Sequence, residues 1–107
     1  MIVRVWSSGY VPARLDDLAA FCTQRLQPFF RDHDGCLACF FVHDDHEWRT
    51  ITCWRDQAAV DGVKHSAVYT ALLGELLGSG ILQGSQSVLK MTSAGGGIFA
   101  PLFPVVL

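Results

Sequence analysis

The spacing at which apolar residues recur constrains this chain more than any single motif. In "IVRVW", residues 2–6, the run is β-branched and aromatic, and the turn-rich "SSGYVP" after it marks a strand and its exit. From Arg14 the period lengthens: Leu15, Leu18, Ala19, Cys22, Leu26 and Phe29 recur at three and four, with Asp16 and Asp17 in the first turn. That is an amphipathic helix whose dipole favours the early acids, and Pro28 should kink or end it. Residues 37–43 and 48–54 return to strand character around the polar connection "DDHE" and predict an antiparallel hairpin. A second helical stretch follows "RDQAA", with a break expected near "KHS", and "SQSVLKMT" reads as a last strand. Strand, helix, strand, strand, helix, strand is the split βαβ order of an α+β, ferredoxin-like βαββαβ sandwich. It predicts a four-stranded antiparallel sheet with two helices on one face, over residues 1–93.

The other face of such a sheet needs a cover. Half of the 107 residues are hydrophobic and only 17% are charged, against about 25% in an ordinary globular chain. The surplus apolar surface points to a second copy of the chain, a homodimer in which two sheets meet face to face. No run reaches the length of a membrane span, because charged residues interrupt every apolar segment. The eight basic residues are scattered in a chain of net charge −2, so no basic stripe invites nucleic acid. The early Arg4 leaves no room for a secretory signal, which predicts a cytoplasmic protein with reduced cysteines. The final "SAGGGIFAPLFPVVL" reads as an apolar arm over residues 94–107, packed on the partner or across a pocket mouth.

"DGCLACFFVHDDHEWRTITCW", residues 34–54, holds three of the four cysteines and two of the four histidines. Cys36 and Cys39 form a CxxC, but the second pair that a zinc site requires is absent. Residues three apart on a strand also point to opposite faces. Buried thiols and no metal are expected. His33, His43 and His46 flank loops rich in aspartate and read as solvated turn residues. Arg4 stands out on an otherwise apolar strand, either crossing the sheet to an acid such as Glu47 or Asp56, or facing a ligand.

"TCWRDQAAVDGVKHSAVYTALL" resembles the antibiotic biosynthesis monooxygenase family of dimeric α/β barrels. A strand ends in Trp54, a polar turn follows, Ala59 lies on the new helix, and Ser66 comes twelve residues after the tryptophan with an aromatic at Tyr69. "MIVRVW", the long first helix and Gly35 before the second strand fit the same layout, and the resemblance covers residues 1–92.

The resemblance implies a cofactor-free oxidation of a bulky aromatic or quinol-type small molecule by O₂, in a pocket between sheet and helices. Such chemistry asks for an apolar enclosure, a group that stabilises the substrate anion and a proton acceptor. Trp54 and Trp6 are candidate aromatic walls, Arg4 and Tyr69 candidate substrate contacts, and His65 a candidate base. Thr50 stands where the quinol oxygenases carry an asparagine, four residues before the tryptophan; Val60 and Val63 replace a tyrosine and a histidine further on. The haem-degrading branch asks for an asparagine on the first strand and a tryptophan and histidine on the second helix, where this chain has Trp6, Val63 and Leu73. The alternative is a non-catalytic dimeric barrel that binds a small apolar ligand or serves assembly.

Overall fold

The structure, a computed structural model, describes residues 1–102. Its elements are β1 (Ile2–Tyr10), a 3₁₀ turn (Pro12–Arg14), α1 (Leu15–Phe21), a π-helical segment (Cys22–Leu26), α2 (Gln27–Asp32), β2 (Cys36–His43), β3 (Glu47–Trp54), α3 (Gln57–Lys64), α4 (Ala67–Gly78) and β4 (Leu82–Thr92). The sheet runs β2-β3-β1-β4 and every pairing is antiparallel. This is the expected ferredoxin-like α+β arrangement, with helices on one side. Among the described residues no helix is long and apolar enough to cross a membrane.

β1 is longer than its apolar run suggests. "SSGY" continues the strand, because Ser8 and Tyr10 turn inward and are buried against the helices. Gly9 is required there: a Cβ would run into the Gln83 carbonyl on β4, beside the bulge between Ser7 and Gly9. The Tyr10 hydroxyl donates to the Asp44 carbonyl at 2.6 Å and fastens this strand end to the β2–β3 hairpin. In that hairpin Asp44 Oδ1 accepts from the backbone N–H groups of His46 and Glu47, both at 2.8 Å, which closes the turn.

Pro28 neither ends nor breaks the first helix. Proline removes one N–H and its ring collides with the carbonyl four residues back. The chain widens by one residue just before it: the Gln27 N–H reaches the Cys22 carbonyl, five residues away, and α2 then carries on to Asp32. The second helical stretch does break where expected. Asp56 caps α3 by accepting from the Ala59 N–H at 2.9 Å, and Ser66 caps α4 by accepting from the Tyr69 N–H at 3.2 Å. Gly35 sits at φ +84°, and a Cβ would strike the Ala59 side chain, so the entry to β2 fits only glycine against α3.

The core lies between sheet and helices. Trp48, Thr50, Thr52 and Trp54 alternate inward along β3 and are all buried. On the opposite side the residues form apolar rows across the strands: Phe40, Ile51, Val5 and Leu89 in one, Ala38, Cys53, Val3 and Met91 in the next. On that side Leu89 and Met91 stand 54% and 59% exposed among the described residues. Both faces of residues 37–43 carry apolar side chains, a pattern that implies a strand buried on both sides, whereas the outer residue Val42 is exposed at 44%. After β4, Ile98, Phe99 and Leu102 are exposed. The rest of the expected arm, residues 103–107, lies outside the described residues.

Candidate functional site

The helices cover the sheet unevenly. α2 rests on β2 and α3 on β3, while β4 is exposed on both faces beyond Leu82. The inward residues of β1 therefore sit at the margin of the helical layer. Arg4 and Trp6 are half-buried there, with Thr52 and Thr50 directly beside them on β3 and Lys90 and Val88 beside them on β4.

α4 supplies the facing wall. Tyr69 lies in its first turn, where the Ser66 cap fixes the backbone. Its ring stacks on Phe29 of α2 at 5.6 Å and 26°, and the Arg4 guanidinium lies within hydrogen-bonding reach of its hydroxyl. Burial raises the Tyr69 pKa, and the nearby Arg4 charge only partly opposes this. The phenol thus remains a protonated donor at neutral pH. In that contact the guanidinium donates and the phenol oxygen accepts; the phenol O–H and the remaining guanidinium N–H groups are donors of the kind an oxyanion or carboxylate takes.

Arg4 is unusual in a second respect. Arg14, Arg25, Arg31, Arg49 and Arg55 each pair with a carboxylate at 2.9–3.3 Å. Arg4 forms no such pair among the described residues; the cross-sheet partners Glu47 and Asp56 engage Arg49 and Arg55 instead.

The remaining candidates divide. Trp54 is 0% exposed; its indole N–H donates to Thr52 Oγ1 at 2.8 Å, and its ring meets Phe30 and His33 edge-on. It forms solid core rather than an open wall. Thr50 is buried beside Trp6, and its hydroxyl accepts from the Trp48 indole at 3.3 Å. His65 is exposed at the C-terminal end of α3, its Nδ1 held 2.7 Å from the Asp61 carbonyl. That bond fixes the tautomer and leaves Nε2 as the proton acceptor. No contact joins His65 to Arg4, Tyr69 or Trp54 among the described residues.

His33 belongs to the assembly although its sequence context reads as a loop. It is half-buried, its ring 5.5 Å from Phe29 and 5.9 Å from Trp54, and it lies against Gly62. Trp54, His33, Phe29 and Tyr69 thus form a continuous aromatic line ending at Arg4. The signal was available in the spacing: four residues separate Phe29 from His33, one helical turn. On the outer side of the helices, Phe29 and His33 also line an open groove of about 500 Å³ with Val68 and Leu72.

The cysteines correct a geometric expectation. A bulge between Cys36 and Ala38 shifts the register, so Cys36 and Cys39 face the same side, opposite Trp54 and Thr52. All four thiols are free, and among the described residues no cluster of histidines, cysteines or acids could hold a metal. Burial is the chief cause that pushes Cys22 and Cys39 up to about 12. In the native protein at pH 8 these two should resist Ellman's reagent, while urea-unfolded protein reacts at all four. Because the folded pKa values are raised, the stabilisation is complete below pH 9.0 and declines as pH climbs toward about 12. Rapid native modification of Cys22 would refute this.

No family model matches the sequence, and no curated protein matches it. Solved structures do. A crystal structure of an antibiotic biosynthesis monooxygenase is 19% identical, with 89% of this chain and 100% of that one covered at a TM-score of 0.71. Rv0793 from Mycobacterium tuberculosis is 16% identical, over 91% and 98%, at 0.73. The ActVA-Orf6 monooxygenase of Streptomyces coelicolor, solved in complex with nanaomycin D, is 22% identical over 92% of each chain at 0.74. The chain has the ferredoxin-like fold of the antibiotic biosynthesis monooxygenase structures.

Proposed function

We propose that this protein is a cofactor-independent monooxygenase-like enzyme that oxidises a bulky aromatic or quinol-type molecule with O₂, and that it works as a homodimer. The observation that carries the reading is Arg4, half-buried, without a carboxylate and within reach of the Tyr69 hydroxyl. Fold-mates named as monooxygenases, one of them solved with nanaomycin D bound, support it.

The substrate ring lies against Trp6 and the Phe29–Tyr69 stack, with its ionised oxygen at Arg4 and Tyr69. These donors favour the anion, which is the form that passes electrons to O₂. His65 Nε2, exposed and apart from Arg4 and Tyr69, takes the proton through intervening water rather than by direct contact. For a ring methylene converted to a carbonyl, the substrate supplies all the electrons: one oxygen atom enters the carbon and the other leaves as water with the two methylene hydrogens. Thr50 and Trp54 position the floor through their bonds to Trp48 and Thr52. In the dimer the outer apolar rows of the two sheets pack on each other, and the arm beginning at residue 94 packs on the partner or across the pocket mouth.

The test is oxygen uptake with anthrone or dithranol in the absence of added flavin or metal. Wild type should consume O₂, and Arg4→Gln should lower kcat/KM about 100-fold, the scale expected for losing one oxyanion donor. Binding of these compounds without any uptake would replace the enzyme with a ligand-binding barrel. One observation favours that second reading: the Thr50 hydroxyl, where the related quinol oxygenases carry an amide, is already occupied by the Trp48 indole.

A further inference from the structure

Arg4 is not the only cation on its patch. Lys90 lies directly opposite it on β4, on the same helix-facing side. The Lys90 ammonium donates to Gln57 Oε1 at 2.8 Å, which draws the side chain toward the start of α3. The other end of that amide donates to Asp61 Oδ1, also at 2.8 Å, so Asp61 is linked to the lysine only through Gln57. Neither Arg4 nor Lys90 forms a salt bridge among the described residues, although every other arginine does.

Opposite residues on antiparallel strands have Cβ atoms about 4.5–5.5 Å apart, and like charges placed so are destabilising. The cost is larger for Arg4, which is partly withdrawn from water. A second, negatively charged group would relieve it. We infer that the Arg4–Lys90 couple is a carboxylate subsite, and that the Arg4–Tyr69 site prefers an aromatic acid to a neutral aromatic.

The chemistry of the surroundings selects that class. A guanidinium fork accepts a carboxylate through two parallel bonds, and a lysine adds a point charge that tolerates several geometries. Trp6, next but one to Arg4 on the same face, and the stacked Phe29–Tyr69 pair offer flat apolar surface for a ring. The subsite makes a selective contact with the acid and leaves the oxidisable part of the ring against the aromatic residues. This rests on the Arg4–Tyr69 region being the ligand site, as proposed above.

Isothermal titration calorimetry with 1-hydroxy-2-naphthoate and its methyl ester separates the two ideas, because the pair share ring and phenol and differ in the anion. The acid should bind wild type at least tenfold more tightly, and the preference should shrink as salt rises. Lys90→Gln, at an exposed strand position, and Arg4→Gln should each bring the ratio close to one, whereas Arg14→Gln leaves it unchanged. Melting curves confirm that each variant is folded, and Lys90→Gln keeps the test decisive if Arg4→Gln is not. Equal affinity for acid and ester, or a preference that survives Lys90→Gln, overturns the carboxylate subsite while leaving the Arg4–Tyr69 ligand site in place. Binding of neither compound overturns the ligand site and the subsite together.

Discussion

Trp54→Ala should cost this protein most or all of its fold. Trp54 is fully enclosed, its indole N–H bonded to Thr52, with Phe30 and His33 against its ring. Emptying such a site costs about 3–5 kcal/mol for a large aromatic. The buried Thr52 hydroxyl then loses its partner, at a further cost of about 1–3 kcal/mol. A native domain is held by only about 5–15 kcal/mol. At about 4–8 °C per kcal/mol for a domain of this size, thermal unfolding followed by circular dichroism should shift down by more than about 15 °C. Trp54→Phe keeps much of the volume and loses the N–H, so it should fall well short of that. A Trp54→Ala protein melting within a few degrees of wild type would show that the core does not depend on this residue.

The second large effect concerns the outer side of the sheet. Phe40, Ile51, Val5 and Leu89 form one continuous row across all four strands, and Leu89 is 54% exposed in the single chain. Leu89→Asp should therefore be tolerated by the monomer. In a two-fold dimer the change occurs twice, each carboxylate facing apolar surface without a partner. The dimer dissociation constant should rise by more than about 100-fold, equivalent to about 2.8 kcal/mol. Sedimentation across a concentration series reads this directly: wild type a dimer at micromolar concentration, the variant a monomer with unchanged circular dichroism. A wild-type chain that stays monomeric, or a variant that stays dimeric, would remove the sheet-to-sheet interface from the proposal.

The element order was legible because hydrophobic spacing is a local property, and Trp54, Thr50, Trp6 and Arg4 all fall on the helix-facing side that strand alternation can place. What escaped were departures from strict period. The bulge at Cys36 cancels the parity argument that separated Cys36 from Cys39. The Ser7–Gly9 irregularity hides an extension of β1 in which Ser7, Ser8 and Gly9 lack apolar character. At the site, Arg4 and Tyr69 could be nominated separately, but their contact depends on where α4 crosses the sheet. Lys90 escaped for a related reason: its opposition to Arg4 depends on the β1–β4 register, which no local pattern reports.

The widened turn before Pro28 also limits how this chain can change length. Thr23, Gln24 and Arg25 are exposed and polar, so a deletion there removes no core side chain. Yet each residue of a helix carries about 100° of rotation. Losing one from Cys22–Leu26 would restore a regular helix and swing everything after it by that angle. Phe30 would leave the Trp54 ring, and Phe29 would leave Tyr69. Substitution at these exposed positions loses at most a surface bond such as Arg25 to Glu75, but their number is fixed: the helix keeps count so that the aromatic line meets the sheet.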